Sequence, residues 1–179
     1  CVWSDDQDME ILAETGATVV HNPSSNLKLG SGFAPILDMK ERGVSLAIGA
    51  DGSASSDNHV LFDIMKLTGL IHSAREVDHR RWLSARDVVA MGTTGGARAL
   101  GLAEELGQLK PGMLADIALL RLDTTFFTPL NDAFRQLVYC ENGSSVETVI
   151  VDGKMVVEDG RLVSVDQESA LAEVRELWA

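Results

Sequence analysis

Only two cysteines, Cys1 and Cys140, occur in 179 residues, and they lie far apart in the chain. That is too few for a disulfide framework or a zinc ribbon and fits two reduced thiols. Long apolar runs are also missing. No stretch approaches the ~20 residues needed to cross a bilayer, and the N-terminus carries neither a basic segment nor a signal-peptide core. A cytoplasmic location without a membrane partner is therefore expected. Basic residues are outnumbered, 15 Lys and Arg against 27 Asp and Glu, for a net charge of −12. They are scattered, which argues against a nucleic-acid polymer as partner. Aromatic residues are sparse at 5%. Trp3, Trp82 and Trp178 show no stacking pattern among basic residues and read as core or interface anchors. The hydrophobic share of 45% is nonetheless enough for one ordinary core or two small ones.

Two polar clusters stand out, because each follows a short apolar run. Ala17 to Val20 reads as a strand that stops at His21, where Asn22-Pro23 cannot continue a central strand and opens a polar loop. Phe33 to Arg42 places Phe33, Ile36, Leu37 and Met39 on one face, with Pro35 suited to a first helical turn and Gly43 to a stop, so a helix is expected there. Val44 to Ile48 is a second strand and ends in Gly49-Ala50-Asp51-Gly52. Parallel strands joined by such a crossover bring their C-terminal ends to one side of the sheet, so His21 and Asp51 are expected to face one pocket.

The chain begins with the apolar stub Cys1-Val2-Trp3. Ser4 then reads as the N-cap of a helix through Thr15, with Met9, Leu12 and Ala13 inward, as if the tail of one βα unit came first and an earlier portion preceded Cys1. Further helices are expected from about Asn58, with Leu61, Ile64, Met65, Thr68 and Ile71 recurring at helical spacing, and after the cap Ser84. Gly95-Gly96-Ala97-Arg98-Ala99-Leu100 suggests close helix contacts ending at Gly101. From Leu106 the character changes to short strands with Asp152-Gly153 and Asp159-Gly160 as hairpin turns, a helix over 131–139, and an amphipathic helix from Asp166 to Trp178. The expected division is 1–105 for the βα units, 106–165 for part of a small β-sandwich, and 166–179 for the terminal helix.

Asp51 can be read in two ways. A carboxylate at a strand end followed by Gly and small hydroxyl residues can ligate a divalent ion through one oxygen while the other takes a proton from water. The same spacing serves a helix cap or an Asx-turn. His21 could contact a substrate ring, with Asn22 and Asn26 offering amide donors and acceptors. It could equally be a satisfied buried histidine. Ser55, Asp57 and Asn58 follow Asp51 closely enough to line the same opening, although a helix N-terminus explains them almost as well. His59, His72 and His79 read as surface residues; the last two lie in a charged stretch with Arg75, Glu76, Asp78, Arg80 and Arg81 that reads as a solvated face.

Four segments in order, from His21 to Gly32, from Gly49 to Ser55, from Thr94 to Leu100 and from Gly107 to Asp116, resemble the amidohydrolase superfamily. The branch is similar to the one holding S-adenosylhomocysteine and methylthioadenosine deaminases, guanine and 8-oxoguanine deaminases and s-triazine chlorohydrolases. The resemblance implies an α/β fold: the C-terminal part of a (β/α)8 metal-dependent hydrolase barrel plus part of a small β-sandwich. It implies one divalent metal, zinc first and iron as the alternative, with Asp51 as the metal ligand and proton acceptor. The remaining histidine ligands and a catalytic glutamate have no counterpart in this chain, so alone it is expected to be inactive. The implied reaction is hydrolytic loss of ammonia, or of chloride, from a nitrogen heteroaromatic ring such as an aminopurine or triazine. The other class of reading is a non-catalytic interaction or scaffold module. A metal-free phosphate-binding barrel is disfavoured, because the loop after Asp51 lacks glycine-rich, basic character. An open piece of barrel leaves a strand edge and apolar faces uncovered, so a homo-oligomer is expected.

Overall fold

The computed structural model describes residues 1–178; Ala179, the last position of the expected terminal segment, lies outside the described residues. The chain opens with α1 (Asp6–Thr15), capped by Asp5 rather than by the expected Ser4. The Asp5 carboxylate accepts from the Asp8 N–H at 2.9 Å while Asp8 accepts from the Asp5 N–H at 3.1 Å. This reciprocal pair satisfies two N-terminal donors at once, which a single serine hydroxyl cannot do. Gly16, at φ +68, closes the helix and turns the chain into β1 (Thr18–His21).

The expected polar loop after His21 contains a helix instead, α2 (Pro23–Lys28). Pro23 stands at its first position, where a missing N–H costs nothing and the fixed φ suits a helix. Next come α3 (Ile36–Glu41) and β2 (Ser45–Ile48), which pairs in parallel with β1, Thr18 opposite Ser45 and His21 opposite Ile48. Among the described residues β1 has no second neighbour. A short α4 (Ser53–Ser56) and the longer α5 (Leu61–Ile71) follow, the latter buried through Ile64, Met65, Thr68 and Ile71 as the spacing predicts, whereas Leu61, at its first position, is exposed.

After Ser84 caps α6 (Ala85–Ala90), a π-helical turn over Met91–Gly95 leads into α7 (Gly96–Ala99). The turn widens where the helix meets β2. A Cβ added at Gly95 would lie 2.2 Å from the Leu46 carbonyl oxygen, whereas one at Gly96 meets nothing within 4 Å. Gly95→Ala is therefore expected to destabilise the protein by about 3 kcal/mol, the upper end of ordinary overpacking, and Gly96→Ala to be neutral or stabilising. Urea midpoints of the two variants check the contrast.

One core gathers α1, β1, α3, β2, α5 and α6, with Ile36, Met39 and Val88 fully enclosed. Each such side chain contributes about 1.5–3 kcal/mol relative to exposure. The antiparallel sheet comes later: β3 (Ile117–Leu120), β4 (Val146–Val151), β5 (Lys154–Glu158) and β6 (Arg161–Leu162), in that order. Asp152-Gly153 and Asp159-Gly160 make its tight turns, all four residues having positive φ, as the Asp-Gly signals predict. Between β3 and β4 the chain returns to the first core: α8 (Ala133–Tyr139) buries Val138 there and packs on α5 and α6. This helix therefore does not belong to the sheet layer, although the sequence division at 106–165 includes it. The terminal α9 (Gln167–Leu177) buries no residue. Trp3 and Trp178 are exposed and Trp82 is 40% exposed, so none of the three anchors a core in this chain. Among the described residues no helix is long and apolar enough to cross a membrane.

Candidate functional site

Asp51 stands just past the end of β2 with a left-handed backbone, φ +58. An aspartate tolerates that region better than most residues because its short polar side chain can bond locally. Here its Oδ1 accepts from the Gly52 N–H at 2.8 Å, and its Oδ2 accepts from the Ser25 hydroxyl at 2.6 Å. Gly52, not Asp51, is the N-cap of α4, so the helix-cap reading does not describe this carboxylate. The hydrogen bonds from Ser25 and then Gly52 hold the Asp51 carboxyl below the usual carboxylate range. The group is exposed, ionised at neutral pH and fixed in direction by two donors, which leaves lone pairs for a cation.

Ser25 is the partner of Asp51 that sequence reasoning passed over. It is buried on α2, with its hydroxyl committed to Asp51 across two βα units. The available signal was its place one turn after a strand end, in the cluster Pro23-Ser24-Ser25-Asn26. Ser25→Ala is expected to weaken metal uptake by the full-length protein roughly 10–100-fold, the usual effect of removing a partner that orients a ligand. Chelator competition measures it.

The other expected residues divide into two groups. Asn22 and Asn26 line a cavity of about 220 Å³ beside β1, together with His21, Cys1 and Val2. The Asn22 amide donates to the Val20 carbonyl at 3.1 Å. Gly49 makes room for it, since a Cβ at position 49 would lie 2.6 Å from Asn22 Oδ1. Around Asp51, the Ser55 hydroxyl donates to the Gly52 carbonyl at 3.0 Å. Asp57 pairs with Lys28 at 2.5 Å, and that lysine also donates to the Ala54 carbonyl, so α2 and the Asp51 loop are tied by an ion pair not foreseen from sequence. Asn58 Oδ1 accepts from the Val60 N–H at the entrance to α5.

His21 corrects the expectation of a shared pocket. It is 2% exposed and lies on the strand face of Val19, which packs into the core, while Val20 on the opposite face is 43% exposed. Its ring meets His72, with centroids 5.4 Å apart, and not Asp51. The imidazole nonetheless lines the 220 Å³ cavity together with Asn22 and Asn26, a cavity that Asp51 does not line. His72 is corrected too: it continues the inward face of α5 four residues beyond Thr68 and is buried. The charged stretch begins only after it. That stretch is more than a solvated face, since Arg81 binds Asp38, Glu41 and Glu76 together, and Arg75 covers the Phe33 ring at 4.8 Å. His59 and His79 are exposed, as expected.

Among the described residues no three His, Cys, Asp or Glu side chains gather as a metal-binding group. A cation held by Asp51 would therefore take its other ligands from outside the described residues.

Comparison with known proteins bears on this corner. The model of the amidohydrolase family matches residues 1–156. A 5-methylthioadenosine/S-adenosylhomocysteine deaminase of Acetivibrio thermocellus is 41% identical over 99% of this chain and 41% of its own length. A 5′-deoxyadenosine deaminase of Methanosarcina mazei is 43% identical over 98% of this chain and 40% of its own. Among solved structures, an adenosine deaminase from Xanthomonas campestris with bound zinc superposes with a TM-score of 0.93 at 32% identity, covering 98% of this chain and 40% of that one. Atrazine chlorohydrolase from Arthrobacter aurescens, complexed with zinc, gives 0.91 at 32% identity over 99% and 39%. The chain spans about 40% of the length of these relatives. Its parallel strand pair with surrounding helices and its antiparallel sheet are the C-terminal part of a hydrolase barrel and part of a small β-sandwich. The chain belongs to the amidohydrolase family.

Proposed function

We propose that this chain is part of a zinc-dependent hydrolase that removes ammonia from the ring of an aminopurine nucleoside. The observation that carries the reading is the Asp51 carboxylate, held ionised and exposed at the end of β2 by Ser25 and Gly52. A divalent metal, when bound, makes a water acidic enough to attack at neutral pH. Asp51 supplies one ligand oxygen and receives the attacking water's proton, and Ser25 keeps that oxygen pair from rotating away. Asn22 and Asn26 offer amides at the neighbouring cavity, and Ser55 and Asp57 stand at the rim of the Asp51 loop. Aminopurine nucleosides are favoured over chlorotriazines because the sequence relatives at 41% and 43% identity are deaminases of modified adenosines, whereas the solved adenosine deaminase and the chlorohydrolase stand equal at 32%. Zinc is favoured over iron by the zinc in both solved relatives.

We further propose a cytoplasmic, homo-oligomeric enzyme with no nucleic-acid or membrane partner, in which residues 1–105 together with α8 form the barrel part, the rest of 106–165 the sandwich part and 166–178 the terminal-helix part. The full-length protein, loaded with zinc, is expected to release ammonia from 5′-deoxyadenosine or S-adenosylhomocysteine. Chloride release from atrazine without ammonia from either nucleoside moves the assignment to dechlorination. Release of neither from metal-loaded protein favours a non-catalytic scaffold.

A further inference from the structure

His21 and His72 form a second polar cluster, which the proposed chemistry does not use. Both rings are at least nine-tenths buried and their planes are inclined by 36°. Thr68, fully buried, lies four residues before His72 and so on the same helical face. Among the described residues no group hydrogen-bonds His21 Nδ1, His21 Nε2, His72 Nε2 or Thr68 Oγ1. Leaving such a group unpaired costs about 1–3 kcal/mol each, so a cluster of four needs a partner. A neutral imidazole has one N–H and one bare nitrogen, and two of them can offer a single molecule both a donor and an acceptor. The rings make no direct N–H···N bond although their centroids are 5.4 Å apart, so their edge nitrogens are left for a bridging water. Two cavities flank the pair, the 220 Å³ one at His21 and another of about 420 Å³ at His72, both touching Val2 and Ala34.

The pair also stands at the root of the Asp51 corner. The His21 carbonyl accepts from the Gly49 N–H at 3.0 Å, two residues before Asp51. Four residues after His21, Ser25 donates to the Asp51 carboxylate. Both limbs that hold Asp51 therefore leave from His21, and the His72 ring packs against that residue just beyond the end of α5.

We propose that His21 and His72 form a buried water-binding site, and that the water-bridged pair positions the Ser25–Asp51 corner; its second half rests on the reading of Asp51 as a metal ligand. In this role His21 and His72 are positioning residues. A crystal structure of the full-length protein at water-resolving resolution is expected to show one water within about 3.2 Å of a ring nitrogen of each histidine. A direct ring-to-ring hydrogen bond, or a dry gap, overturns the site. For positioning, His72→Phe keeps a ring and removes the polar edge, whereas His72→Gln keeps a donor and an acceptor. In chelator competition His72→Phe is expected to weaken zinc binding roughly ten-fold, as Ser25→Ala does, and His72→Gln to restore most of it. Folded His72→Phe protein with unchanged zinc affinity overturns the positioning role. Should the parent protein take up no zinc, the proposed function fails by itself. Positioning is then decided by the Ser25–Asp51 distance in crystals of His72→Phe: lengthening beyond hydrogen-bond reach supports it and an unchanged distance overturns it.

Discussion

Full-length protein carrying Asp51→Asn is expected to turn over roughly 10²–10⁴-fold more slowly than the parent, with KM little changed. The amide matches the carboxylate in size and can still accept from the Gly52 N–H, so the backbone corner keeps its shape. It lacks the negative charge that attracts a cation, and it cannot take a proton from water. Losing a positioned proton acceptor alone accounts for a factor of that order. Zinc content should fall in parallel, because an amide oxygen is a weaker ligand than a carboxylate. Turnover kept within ten-fold of the parent, with zinc retained, would show that this carboxylate is not at the reacting centre. Ser25→Ala provides the graded comparison, since it leaves the charge in place and frees only its direction.

Acid is expected to destabilise the protein before its carboxylates titrate. Burial, with the neighbouring His72 adding to it, lowers His21 from 6.5 to about 3, and burial lowers His72 to about 4. As pH falls through 6.5 the unfolded chain takes up protons on these imidazoles while the folded chain does not. Stability is therefore full above about pH 7, falls from pH 6.5 as far as about pH 3, first through both rings and below about 4 through His21 alone, and levels off once both folded rings are protonated. At 1.36 kcal/mol per pH unit for each group, the loss is on the order of several kcal/mol. The charged groups nearest His72, namely Asp38, Arg75, Glu76 and Arg81, line its cavity, but Arg81 is occupied by Asp38, Glu41 and Glu76. Carboxylates held below their usual range, such as Asp51 by Ser25 and Glu41 by Arg81, add their loss only below about pH 4.5. The interval from pH 6.5 to 4.5 belongs to the imidazoles. Tm of the full-length protein should fall across it, and the double variant His21→Phe, His72→Phe should flatten the fall. A Tm that stays level from pH 7.5 to 4.5 in the parent refutes the buried-pair account.

Strands and long helices were legible because each repeats a pattern. The runs ending at His21 and Ile48 form the parallel pair, Ile64, Met65, Thr68 and Ile71 face inward on α5, and both Asp-Gly turns close antiparallel hairpins. Short elements were not. A six-residue helix such as α2 completes fewer than two turns, so its composition resembles a loop and only Pro23 marks its start. The candidate corner could be picked out at Asp51, where a charged residue follows an apolar run, but not at Ser25, whose contact with it spans 26 residues. His72 was misjudged because its neighbours in sequence are charged, whereas its neighbours in space are set by the face of α5. The Arg81 network was hidden for the same reason, as it joins a residue near 80 to carboxylates near 40.

Gly49 separates what this corner can change from what it cannot. With Asn22 Oδ1 and Val20 Cγ1 both closer than 3 Å to any Cβ there, substitution at this position displaces the chain that leads to Asp51. Ser53, Ala54 and Asp57, a few residues later, are exposed and meet no such restriction. Sequence change is therefore expected to collect in that outer loop, while the backbone beneath Asp51 stays fixed.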